Sequence, residues 1–290
     1  MGVVTGEPVG AHSDVEVGDD LRLHVIRKGT GPPVLLLHGF TGSAETWSAL
    51  SKSLEADYST LSIDLAGHGK SSSPEESGRY ALDRSADDLA HVLDALKVER
   101  AAVVGYSLGG RAALHFALRH PSRVAALVLE SASPGIIDVR CRERRRVSDF
   151  ALANMIEQDG VEAFVDYWEK LPIWNSQRSL PVEVQGALRA QRLANDARGL
   201  ANSLRGAGAG AKADVTSALD TFSVPTLLIA GELDHKYVAA SRLMAGSMLR
   251  ARSAIVDGAG HTVHLERAEI FAGLVTTFLK EQPSASYEWR

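Results

Sequence analysis

The sequence predicts an α/β fold in which a mostly parallel central sheet is covered by helices on both faces and carries an inserted helical cap. Three observations predict it. Short apolar runs alternate with helical periodicities over most of the chain, and the residues with chemical potential stand just after the apolar runs. The alternation then fails between about residues 136 and 220, where helical patterns follow one another without a convincing strand. A chain of 290 residues that is 45% hydrophobic can bury the large core this requires.

The elements follow in order. Residues 21–26 alternate and read as an edge strand, leading to 34–37, continuously apolar as a strand buried on both faces must be. Residues 60–63, 101–104, 125–129, 226–229 and 253–256 continue the series. Between them, Leu82, Ala86, Leu89, Leu93 and Leu96 recur at helical spacing, with Asp87, Asp88 and Asp94 off the stripe, which gives a helix packed on the sheet. In the irregular block, 147–158, 161–169, 182–194 and 197–204 read as helices. The run Gly206-Ala207-Gly208-Ala209-Gly210-Ala211 after them reads as a flexible return loop. The expected organisation is a core of residues 1–135 and 221–290 with a cap of residues 136–220.

Composition narrows the function. A formal net charge of −5 and a pI near 6.1 give no reason to expect nucleic-acid binding or a polybasic membrane anchor. The single cysteine, Cys141, precludes an intramolecular disulfide framework, fits a reducing cytosol and reads as a bystander. No apolar stretch approaches the ~20 residues that span a bilayer, and residues 1–10 lack a basic start followed by an apolar run. A cytoplasmic enzyme is expected. Residues 283–290, beyond the last helical pattern, read as a disordered tail.

The chemistry concentrates at Gly105-Tyr106-Ser107-Leu108-Gly109, between an apolar run and a helical pattern that starts near Gly110. This places a serine on a sharp strand-to-helix turn, where flanking glycines leave room for a strained backbone and the hydroxyl faces a cavity. A GxSxG pattern means little alone in a chain with 26 glycines. Its context is stronger. A serine hydroxyl becomes a nucleophile or base only beside a histidine that takes its proton, and that imidazole needs a carboxylate to fix its tautomer. Both follow in the order serine, acid, histidine: Gly231-Glu232-Leu233-Asp234 after one strand and Gly258-Ala259-Gly260-His261 after the next. Asp234 is preferred to Glu232 because it lies further past the strand end. His261 is preferred to His264, which stands where the next helix begins. After residues 34–37 comes His38-Gly39-Phe40, whose small residue lets the N–H of Phe40 join that of Leu108 in a two-donor oxyanion hole. His38 itself reads as a structural loop histidine, and Asp64-Leu65-Ala66-Gly67-His68-Gly69 as a loop framing the pocket.

On His38-Gly39, the elbow at 105–109, Asp234 and His261, the chain resembles the α/β-hydrolase superfamily over nearly its whole length outside the cap. That resemblance implies a fold and a Ser107–His261–Asp234 triad but not a reaction, since one fold hosts many.

The arginines narrow the choice. Arg111 stands one helical turn after Ser107, five of the seven residues from Arg140 through Arg146 are arginine, and Arg192 and Arg205 follow. Such a run is ordinarily a solvated basic face, yet the guanidinium fork also suits a substrate with several carboxylates. Tyr106, Trp168 and Trp174 could wall a ring. The segments Gly105 through Arg111, Leu129-Glu130-Ser131-Ala132-Ser133-Pro134-Gly135, Phe164 through Pro172 and Gly199 through Gly206 resemble one branch, the 2-succinyl-6-hydroxy-2,4-cyclohexadiene-1-carboxylate synthases of menaquinone biosynthesis. The branch implies a carbon–oxygen lyase that expels pyruvate without metal or cofactor, with a small polycarboxylate as substrate. It further implies Tyr106, Arg111, Arg145, Trp168 and Arg192 as substrate-binding positions; a one-residue slip would put Arg144 or Arg146 in place of Arg145. Two alternatives share the triad pattern: a serine carboxylesterase, and a non-catalytic small-molecule receptor.

Overall fold

The computed structural model describes residues 11–18, 20–211, 214–283 and 287–289. Among the described residues, nine strands form one sheet: β1 (His12–Glu16), β2 (Arg22–Lys28), β3 (Pro33–Leu37), β4 (Ser59–Ile63), β5 (Val98–Tyr106), β6 (Val124–Glu130), β7 (Thr226–Gly231), β8 (Ala251–Val256) and β9 (Glu288–Trp289). Their order is β1-β2-β4-β3-β5-β6-β7-β8, with β9 paired to β5. Along the path from β4 to β8 every pair is parallel, while β1 and β2 are antiparallel additions at one side and β9 pairs antiparallel with β5.

Alternation along the central strands divides the core into two layers. Leu35, Leu37, Val103, Leu127 and Leu129 face the helices α2 (Leu82–Ala95) and α3 (Leu108–Arg119). Val34, Leu36, Ala102, Val104 and Val128 face α1 (Ser48–Leu54) and α9 (Ala268–Lys280). The helix α7 (His235–Ser247) follows β7 and packs on β7 and β8.

Between β6 and β7 lies the inserted helical region, comprising α4 (Val139–Trp168), α5 (Val182–Leu193) and α6 (Ala197–Ala207). It has its own small core of Ala153, Ile156, Phe164, Val165, Leu200, Ala201 and Leu204. The helix α4 bends at Gly160, whose φ of 84° is open to glycine at little cost. The helices read from the sequence at 147–158 and 161–169 meet at this break, where the backbone of Gly160 is not helical. The first two turns of α4 take in the arginine run, with the Asp138 carboxylate accepting the N–H of Cys141 as an N-cap.

Three expectations are corrected. Residues 21–26 are not an edge strand, because β1 pairs along β2; the polar HSDVE segment hides this strand, of which Val15 is the buried residue. The Gly/Ala run is not a flexible loop. Gly206 and Ala207 belong to α6, and Gly208 and Gly210 sit so close to their neighbours that an added Cβ would lie 2.2 Å from the Leu204 oxygen and 2.3 Å from the Arg146 nitrogen. Asp88, off the apolar stripe of α2, is buried in an ion pair with Arg79 at 2.7 Å. The tail returns to the fold: Val98 pairs with Trp289, whose indole N–H donates to the Gly31 carbonyl at 2.9 Å beneath the Arg27 guanidinium. Residues 1–10, 284–286 and 290 lie outside the described residues, and with them the reading of the N-terminal stretch. Among the described residues, no helix is long and apolar enough to cross a membrane.

Candidate active site

Ser107 stands between β5 and α3 with φ 51° and ψ −107°, a conformation that costs a non-glycine residue of order 1–3 kcal/mol. The flanking glycines make that turn possible. A Cβ on Gly105 would lie 2.4 Å from the Gly109 oxygen, and one on Gly109 would lie 2.2 Å from the Leu37 oxygen. The helix begins at Leu108 rather than near Gly110, so the Leu108 amide is among the first-turn N–H groups that lack an acceptor inside the helix.

The three residues expected to meet do so. His261 Nε2 lies 3.1 Å from Ser107 Oγ, and His261 Nδ1 lies 2.6 Å from Asp234 Oδ2. The carboxylate accepts a hydrogen bond from Nδ1–H and so fixes the tautomer, which leaves Nε2 free to accept from the serine hydroxyl. His261 is 3% exposed and is walled by Tyr237, Tyr106 and Trp174 at ring distances of 4.7, 5.3 and 5.5 Å. The competing residues are engaged elsewhere. Glu232 accepts the Gly258 N–H at 2.9 Å, and His264 donates from Nδ1 to the buried Glu130 carboxylate at 2.8 Å.

His38 is a loop histidine, as expected: its Nδ1 donates to the Gly39 carbonyl at 2.7 Å and its Nε2 accepts the Leu65 N–H at 3.0 Å. Burial pushes it down to about 4, so the ring stays neutral near neutral pH. His68, 5.1 Å from it, is pushed down to about 3 by burial and by its neighbour. In the Asp64 loop the carboxylate itself is the organiser, accepting the N–H groups of Ala44 at 2.5 Å and Lys70 at 2.8 Å.

Two cavities share this region. A chamber of about 80 Å³ is lined by Ser107, His261, Phe40, Leu108, Arg111 and Arg145 among others, and Trp168 and Tyr237 complete its aromatic side. Beside it lies a cavity of about 530 Å³ between the Gly39–Thr46 loop and α5, with Arg192, Ile26 and Leu188 on its walls. Phe40, Tyr106 and Trp174 border both.

The arginines differ in how they are held. Arg111 donates to the carbonyls of Ala207 at 2.9 Å and Gly208 at 3.0 Å, docking the elbow helix onto the C-terminal end of α6. Burial brings it down to about 10, and it remains a cation at neutral pH. Arg145 lines the small chamber and donates from Nε to Asp149 at 2.7 Å, whereas Arg144 contacts Cys141 and Arg146 pairs with Glu143. Arg192 is buried, bridges Glu169 at 2.9 Å and Gln177 at 3.1 Å, and lies 5.4 Å from the Trp174 ring. Its Nε, with the indole N–H groups of Trp168 and Trp174, is buried without a hydrogen-bond partner among the described residues. Buried donors left in this state invite an acceptor.

Tyr237 and Gln177 were not legible in the sequence. Tyr237 gives no motif because its role comes from α7 folding back beside His261. Gln177 links the inserted region to the His261 loop by donating to Thr262 at 3.0 Å, a contact between residues 85 positions apart.

Residues 32–268 match the alpha/beta hydrolase fold family. The chain is 41% identical, over 92% of its own length and 97% of the other's, to a protein of Bacillus subtilis (strain 168) assigned as a 2-succinyl-6-hydroxy-2,4-cyclohexadiene-1-carboxylate synthase. It superposes on MenH from S. aureus with a TM-score of 0.85 and 34% identity, covering 89% of this chain and 98% of that one. It also superposes on an esterase from Exiguobacterium antarcticum at a TM-score of 0.82 and 22% identity, covering 93% of this chain and 100% of that one, a likeness of fold alone. With a bent-backbone serine, an aligned imidazole and carboxylate, and a family match across most of its length, the chain belongs to the α/β-hydrolase fold family and is closely related to MenH and the 2-succinyl-6-hydroxy-2,4-cyclohexadiene-1-carboxylate synthases.

Proposed function

We propose that the protein is a carbon–oxygen lyase of the menaquinone pathway that eliminates pyruvate from 2-succinyl-5-enolpyruvyl-6-hydroxy-3-cyclohexene-1-carboxylate. The observation that carries this reading is that Arg111 and Arg145 line the same small chamber as Ser107 and His261, with Arg192 on the adjoining cavity. A substrate with three carboxylates calls for such cations, and a neutral ester does not.

In this reading Ser107, its proton passed to His261, removes the ring proton α to the succinyl carbonyl. Asp234 stabilises the imidazolium that results. The electron pair moves onto the carbonyl oxygen, which the Phe40 and Leu108 N–H groups hold as it gains charge. When the enolate collapses, the conjugated ring double bond shifts and the C–O bond to the enolpyruvyl group breaks. The leaving group takes up a proton and departs as pyruvate. Tyr106 and Trp168 flank the ring, and Arg111, Arg145 and Arg192 bind carboxylates. Residues 136–220 act as the cap over the core. No metal or cofactor is invoked.

The large cavity favours a second reading. Ile26, Val184, Leu188 and Leu265 on its walls suit the acyl group of a carboxylic ester, with Ser107 as nucleophile toward an acyl-enzyme. Pyruvate release from the authentic intermediate, set beside hydrolysis of a short-chain aryl ester, decides between them. Elimination with the higher kcat/KM, abolished by Ser107→Ala, is expected; a much higher value on the ester overturns the lyase reading.

A further inference from the structure

The strand β6 is apolar from Val124 to Leu129 and then ends in a carboxylate, Glu130, that is 0% exposed. Burying a carboxylate is costly, and an apolar residue of similar volume often serves stability as well or better. The two hydrogen-bonding ends of Glu130 reach different halves of the site. Its backbone carbonyl accepts the Ser107 N–H at 2.8 Å, and it stands in register with Tyr106 across β5 and β6. Its carboxylate accepts the backbone N–H of His264 at 3.0 Å and the Nδ1–H of the same histidine at 2.8 Å. His264 belongs to the short helix α8 (Val263–Glu266), three residues after His261, and its ring stands edge-on to Tyr106 at 4.7 Å.

We infer that Glu130 and His264 are positioning residues that clamp the His261-bearing segment to the Ser107 elbow and hold Tyr106 between the two histidines. Taking Ser107 and His261 as the reacting pair, the inference rests on the function proposed above. One residue holds the serine's backbone from one end and, through His264, the loop carrying the base from the other. Neither touches the reacting atoms. A reacting pair displaced by about 1 Å can lose up to ~10²-fold in rate.

The test uses the full chain with three substitutions. Glu130→Gln removes the charge of the acceptor, His264→Phe keeps a ring against Tyr106 but no N–H, and His264→Asn restores an N–H close to the place of Nδ1. The readouts are the rate at which a fluorophosphonate labels Ser107, measured across pH, and the kcat and KM of pyruvate elimination. Glu130→Gln and His264→Phe are expected to slow labelling by about tenfold or more at every pH and to lower kcat similarly, with KM within about threefold. His264→Asn is expected to recover most of the labelling rate. Folded Glu130→Gln or His264→Phe protein that labels at the wild-type rate overturns the inference. If Glu130→Gln does not fold, equal rates for His264→Phe and His264→Asn overturn it instead. Labelling needs no lyase substrate, so failure of the proposed reaction appears in pyruvate release alone, and failure of the clamp appears in the labelling rate.

Discussion

Arg145 donates to Asp149 at 2.7 Å across one turn of α4, and the acceptor is the more deeply buried partner, at 1% side-chain exposure against 38%. Asp149 also accepts the Gly210 N–H at 3.1 Å, which fixes it against the close-packed glycine segment. The arginine that lines the Ser107 chamber is thus aimed by a buried carboxylate that is itself held by a second hydrogen bond. Arg145→Ala should raise KM for the tricarboxylate by about tenfold or more, as expected for loss of a hydrogen bond to a charged group, and change kcat less. Arg144→Ala and Arg146→Ala should leave both near wild type. Steady-state pyruvate release checks all three.

Trp174 borders both cavities, and its ring lies 5.5 Å from those of Trp168 and His261. Small-molecule sites run to ~300–1,000 Å³, so a chamber of about 80 Å³ holds the reacting part of a substrate and no more. Trp174→Ala should join the two spaces. Hydrolysis of bulky aryl esters should then rise relative to pyruvate elimination, a ratio read by assaying both on one preparation.

Gly39 admits Tyr106: a Cβ on it would lie 2.4 Å from the tyrosine Cε1. Gly39→Ala should displace that ring and the neighbouring Phe40 amide together. A fall in kcat on the order of 10²-fold is expected, in protein that still unfolds cooperatively in a calorimeter.

His38 and His68 are buried neutral, pushed by burial from the ordinary 6.5 down to about 4 and about 3. Below pH 6.5 the unfolded chain takes up protons at these positions before the folded one does. Their contribution to stability is therefore complete above about pH 6.5 and shrinks as pH falls toward 4, by a few kcal/mol in all. The urea midpoint should drop across that window. His68→Leu should flatten the drop, whereas His91→Gln, at an exposed position, should not.

Local signals carried much of this site to the reader of the sequence. Ser107 was legible because its turn demands glycines at 105 and 109, and Asp234 and His261 because each follows a strand whose apolar run is plain. The cap helices declared themselves by period, including the break near Gly160 between 147–158 and 161–169. β1 stayed hidden because an edge strand needs few apolar residues, and β9 because two residues carry no pattern. The buried roles of Glu130, Gln177 and Tyr237 depend on partners far away in the chain, and no window of sequence contains both sides of such a contact. The three arginines were legible as cations, but the acceptors they would meet were not: Asp149 for Arg145, Glu169 for Arg192 and backbone carbonyls for Arg111.

Trp289 settles against Val98, at the opposite end of β5 from Ser107. A nine-residue strand at ~3.3 Å per residue separates the two by roughly 30 Å. A surface, bead or reporter attached beside Trp289 would hold the molecule by its floor, leaving the chamber mouth turned to the surrounding liquid and its traffic of small anions unimpeded.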